Sequence, residues 1–134
     1  IDIKKITFSS ANIEIIGKIL GTVDLLWQMA DRLYLEKLIP LFHEFEEGKV
    51  SGFDSKLDLL RKTTNFSNMT KARFENDLGN VIQYMADHFK ERWNIDRNIY
   101  NDAIEKNINY LKFILKTNEK NVSTCLRRNA VTLQ

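Results

Sequence analysis

Apolar positions along this chain recur at three- and four-residue steps, the spacing of a single helix face. In the first series, Ile13, Ile16, Leu20, Val23, Trp27 and Ala30 lay one wide apolar stripe, fit for burial, along a helix over about residues 11–31. Ser9 or Ser10 stands where its N-cap belongs. The preceding IDIKKITF alternates enough for a short strand or an extended lead-in. A second region carries Leu35, Leu38, Ile39, Leu41, Phe42 and Phe45, and Pro40 must either kink it or start a new helix. Gly48 suits the position just past a helix end, and GKVSG (48–52) is the clearest loop. A shorter helix over about 54–64 buries Leu57 and either Leu59 or Leu60. The fourth, capped by Asn68 or Thr70, keeps helical period through Phe74, Leu78, Val81, Ile82, Met85, Phe89 and Trp93. The fifth, about 96–117, aligns Ile104, Ile108, Leu111 and Leu115 behind Tyr100, with Asn94 or Asp96 as cap. After it NEKN breaks the pattern, and NVSTCLRRNAVTLQ is a short helix or a tail. With no internal repeat and no domain-scale linker, the expectation is one all-α domain over residues 1–134, a compact bundle of about five helices.

Composition narrows the class without naming a function. The 134 residues include 5 Gly and 1 Pro, too little punctuation for an all-β fold built on tight turns. Twenty basic and 18 acidic side chains leave a net charge of +2, too weak and too scattered to predict a nucleic-acid face. Lys71, Arg73, Lys90 and Arg92 are interleaved with Glu75, Asp77, Asp87 and Glu91, and nucleic acid is not an expected partner. No apolar run approaches a membrane span, and no secretory signal is visible, so no membrane partner is expected. One cysteine, Cys125, excludes an intrachain disulfide framework and a multi-cysteine zinc site. It agrees with a reducing compartment, and a cytoplasmic location is expected.

Recognisable catalytic motifs are missing. There is no phosphate-binding GxxxxGK loop, no GxGxxG, no CxxC, no HExxH and no GxSxG. His43 and His88 lie on different helices without metal-ligand spacing; His43 reads as solvent-facing or paired with a nearby glutamate. Glu44, Glu46 and Glu47 read as an exposed face, Arg127 and Arg128 as a solvated terminus, and Cys125 lacks an adjacent base.

What remains is GTVDLLWQMAD, residues 21–31, where two carboxylates interrupt an otherwise apolar helix. Burying an unpaired acid is costly, so each needs a reason. Asp24, Gln28 and Asp31 share one face as a polar stripe beside the ridge from Leu20 to Trp27. Seven residues at helical rise separate the acids by roughly 10 Å, too far to share one metal ion. Either Asp31 simply terminates the helix and Asp24 pairs with a nearby base, or one of them holds a ligand. The small residues Gly21 and Thr22 just upstream point to a close approach to this part of the helix.

The stretch GTVDLLWQMADRLYLEKLIPLFHEFEEG, continued by SKLDLLRKT, resembles the C-terminal half of HD-domain proteins, the helical metal-dependent phosphohydrolase superfamily. That family holds a divalent metal with a His, a His-Asp dipeptide and a late Asp that follows small residues and precedes apolar ones. TVDLL (Asp24) fits the late Asp, and MADRLY (Asp31) is similar to the ligand helix of the superfamily's alarmone hydrolases. The resemblance is strongest over residues 17–63, and of the two alternatives it favours Asp24, with Gln28 or Asp31 orienting it.

The resemblance implies a divalent metal in an intact parent, which would activate water and polarise a phosphoryl oxygen of a phosphorylated small molecule, such as a nucleotide. No His-Asp dipeptide occurs here; Asp87–His88 has the reverse order. The remaining ligands would therefore precede Ile1, and this chain alone would be inactive and would carry no metal. The alternative is a non-catalytic helical interaction module. Under either reading a cover for exposed apolar surface is expected, a missing N-terminal half or a second copy.

Overall fold

A computed structural model describes residues 5–126 of the chain as an all-α bundle, with no strand among those residues. Helix α1 spans Ala11–Ala30, α2 Tyr34–Glu47, α3 Lys56–Asn76, α4 Met85–Trp93 and α5 Ile99–Thr117. A 3₁₀ turn over Val81–Tyr84 leads into α4, and a last turn, Val122–Cys125, follows α5. Residues 6–10 carry no regular structure, and the first four residues of IDIKKITF lie outside the described ones, as do Arg127 and Arg128.

Local chemistry sets most boundaries. Ser10 is extended and its Oγ accepts the amide of Ile13 at 3.3 Å, giving α1 its N-cap. Ser55 does the same for α3, accepting from Asp58 N at 3.1 Å. Helix α5 is capped by Asn98, whose Oδ1 accepts from Tyr100 N at 3.1 Å, rather than by Asn94 or Asp96. Asn94 instead ends α4 in a left-handed conformation. Helix α2 runs through Pro40, which neither starts a new helix nor packs inward. At its end Gly48 stays right-handed and Lys49 takes the left-handed position, while Val50 N reaches back to Phe45 O at 2.9 Å.

The middle of the chain departs from the pattern expected of it. One helix of 21 residues, α3, replaces the break expected near residues 65–69, and both Asn68 and Thr70 lie inside it. Its buried residues are Leu59, Leu60, Thr63, Ser67, Thr70 and Phe74. Three of those six are polar, so the helical period is present but invisible to a count of apolar residues. The threonines remain satisfied inside, Thr63 Oγ1 donating to Leu59 O at 2.8 Å and Thr70 Oγ1 to Phe66 O at 2.9 Å. The real break falls at Gly79 and Asn80, two successive residues with positive φ (62° and 53°), which turn the chain into α4.

Helix α1 packs chiefly on α5. Leu26 and Met29 meet a core shared with Leu35, Leu38 and Phe42 of α2, Leu60 and Phe74 of α3, and Ile104, Ile108, Leu111 and Ile114 of α5. Gly21 permits the contact with Leu78, since a Cβ there would lie 3.0 Å from Leu78 Cδ2. That is the close approach the small residues foreshadowed, and it is made by a core leucine. The buried face of α1 is Thr22, Leu26 and Met29, about a third of a turn from the stripe expected to be buried. Ile13, Ile16, Ile19, Leu20, Val23 and Trp27 all face outward, Leu20 with 65% and Trp27 with 69% of its surface exposed. The reason is that α1 is apolar nearly all round, and this core covers only one side of it.

A Leu26→Ala substitution removes a fully buried side chain and is expected to lower unfolding free energy by about 2–5 kcal/mol. Leu20→Ala, six residues earlier, should change it by no more than about 0.5 kcal/mol. Urea titrations of the two variants in dilute solution measure both; equal losses would place the ridge in the core.

Candidate functional site

The outer face of α1 gathers the residues that carry candidate chemistry. Asp24 is exposed at the edge of the apolar ridge. Its Oδ1 accepts from Gln28 Nε2 at 3.1 Å, and among the described residues no cation pairs with it. The expectation of a buried acid at this position is therefore corrected. Asp24 lies on the solvent side of a one-sided helix, and its second oxygen is uncommitted among the described residues.

Asp31 occupies a different world seven residues on. It is the C-cap of α1, and its backbone N–H donates to Trp27 O at 3.2 Å. Its Oδ1 accepts from Leu33 N at 2.9 Å and its Oδ2 takes a short ion pair from Lys37 Nζ. Its backbone carbonyl accepts from Tyr34 N and from Asn107 Nδ2, both at 2.9 Å. The Lys37 hydrogen bond, then the Leu33 amide, hold its carboxyl below the usual carboxylate range. Asp31 is committed to the corner between α1 and α2. Gln28 bonds Asp24 and not Asp31, so the expected three-residue stripe divides into a pair and a corner.

The remaining candidates are ordinary surface groups. His43 Nδ1 lies 3.2 Å from Glu46 Oε2 on the exposed side of α2. His88 is exposed and stacks edge-on against Phe89 and Trp93. Cys125 is partly buried in the last turn, and its carbonyl accepts from the Tyr110 hydroxyl. Lys71 pairs with Glu105 at 3.6 Å, Lys90 with Asp96 at 3.5 Å, and Arg92 lies over the Trp93 ring at 5.1 Å. No group of three or more His, Cys, Asp or Glu side chains that could hold a metal ion occurs among the described residues. A single uncommitted carboxylate falls short of the donor set a divalent cation takes, so these residues do not compose a metal site by themselves.

No family model, no curated protein and no solved structure matches the chain. Among the described residues no helix is long and apolar enough to cross a membrane.

Two features of the site escaped the sequence pattern. One is that α1 keeps a bare apolar face. The signal was available, because only Glu14, Lys18 and Asp24 are charged in its twenty residues, more apolar surface than one neighbour can cover. The other is an apolar cavity between α1, α2 and α3, assembled from residues far apart in the chain.

Asp31 gives the site a pH signature. Its folded pKa lies below the unfolded value, so its contribution is present at neutral pH and is lost as pH falls through the folded pKa. Asp31→Asn should therefore be less stable than the parent at pH 7, with the gap closing below about pH 4. Denaturation midpoints measured from pH 7 to pH 3 read this directly; a gap independent of pH would show that the carboxylate charge contributes nothing.

Proposed function

We propose that this chain forms one wall of a helical metal-dependent phosphohydrolase of the HD kind, with Asp24 supplying one carboxylate to a divalent-metal site. The other ligands would come from the element that covers the outer face of α1. The observation that carries this reading is the placement of a half-committed carboxylate at the border of a bare apolar ridge. Covering the ridge desolvates its edge, and an acid there then needs a cation. Asp24 has an oxygen available for one, whereas both Asp31 oxygens are already taken. Glu14, the other acid on α1, is paired with Lys18 at 2.5 Å.

A second reading draws on the same ridge. Six exposed side chains, Ile13, Ile16, Ile19, Leu20, Val23 and Trp27, expose between 38% and 69% of their surfaces. Together they amount to several hundred square ångströms, the scale of one side of a stable interface. Two copies laid ridge to ridge would make a non-catalytic helical dimer, with Asp24 remaining in solvent at its rim.

The two readings part on metal. In the whole natural protein, mass-spectrometric metal content should fall to background in Asp24→Ala and persist in Asp31→Ala. Metal retained by both variants removes the phosphohydrolase reading. For the dimer reading, sedimentation should show a dimer that Leu20→Glu dissociates, and a strict monomer at high concentration removes it.

A further inference from the structure

The cavity between α1, α2 and α3 includes none of the ridge residues and touches the Asp24 pair only through Gln28. Its volume is about 450 Å³, within the range of small-molecule pockets, and its walls are mostly aliphatic and aromatic. Met29 lines one side and Met69 the other, while Phe45 and Phe53, stacked with ring centroids 5.1 Å apart, border it where α2 gives way to the 48–55 loop.

Most polar side chains on the lining are already engaged. Lys62 Nζ donates to Gly52 O at 2.8 Å and to Asp58 Oδ2 at 2.6 Å, which pins the loop to α3 and cancels the ammonium charge. Thr63 bonds the Leu59 carbonyl, Gln28 bonds Asp24, and Asn65 is exposed to solvent. Tyr34 differs. Only 9% of it is exposed, it lines the cavity, and its hydroxyl, which keeps a little solvent contact, has no protein hydrogen-bond partner among the described residues. That hydroxyl is free to exchange water for a polar atom of a ligand.

We propose that this cavity binds an uncharged amphiphile, with an apolar body between the two methionines and one hydroxyl or carbonyl paired with Tyr34 Oη. The head is uncharged for two reasons. The Lys62 charge is already met by Asp58, so no cation is left to attract an anion. Burial also pushes the Tyr34 phenol up to about 12, and the surroundings that disfavour a phenolate disfavour a carboxylate beside it.

The chain has three methionines, and Met85 does not line this cavity, so their methyl groups report on it separately from the ridge. With 1-octanol as probe and methyl NMR on the intact chain, Met29 and Met69 should shift saturably while Met85 stays still. Octanoate should bind at least about fivefold more weakly. Leu41→Trp, which places an indole in the cavity, should abolish the shifts. Tyr34→Phe, which removes only the hydroxyl, should weaken octanol about fivefold and decides the matter if the larger substitution unfolds the chain. Unmoved Met29 and Met69 methyls, parallel movement of all three, octanoate binding as well as octanol, or unchanged octanol affinity in Tyr34→Phe would each overturn the proposal.

Discussion

A helix can be apolar around most of its circumference only if something lies on both sides of it. Helix α1 meets half of that condition. Its inner face, Thr22, Leu26 and Met29, is sealed by α5 and its neighbours, and Thr22 Oγ1 is satisfied by Lys18 O at 2.8 Å. Its outer face ends in bare isoleucine, leucine, valine and tryptophan. Both readings of the outer face follow from that asymmetry. A carboxylate on the sealed side would report on folding, whereas a carboxylate on the bare side reports on whatever comes to cover it.

The two acids of α1 illustrate how position along one helix separates structure from chemistry. Asp31 sits where the helix must end, and every polar atom it has is used to end it. Asp24 sits two turns earlier in mid-helix, where the helix needs nothing from it. The glutamine one turn later holds one oxygen and leaves the other free among the described residues.

How much of this could be read beforehand depended on whether one helix face told the whole story. Helix α5 was legible because Ile104, Ile108 and Leu111 are apolar, regularly spaced and covered on one side only. Helix α3 was hidden because Thr63, Ser67 and Thr70 take core positions, the two threonines satisfying their hydroxyls on the helix's own backbone. The burial of α1 was misjudged for the opposite reason: two apolar faces competed, and periodicity cannot say which one this core covers. The acids themselves stood out from their apolar surroundings. The cavity did not, since Tyr34, Phe53 and Met69 become neighbours only after three elements pack.

The corner between α1 and α2 joins regions that look separate. Asn107 Nδ2, on α5, donates to Met29 O and to Asp31 O, both at 2.9 Å, so one amide from 76 residues away fixes where α1 stops. Tyr34 N hangs from the same Asp31 carbonyl. Met29 and Tyr34 are also cavity walls, one at each side of that corner. Two walls of the cavity are thereby tied, through the backbone at one corner, to a single side chain of α5.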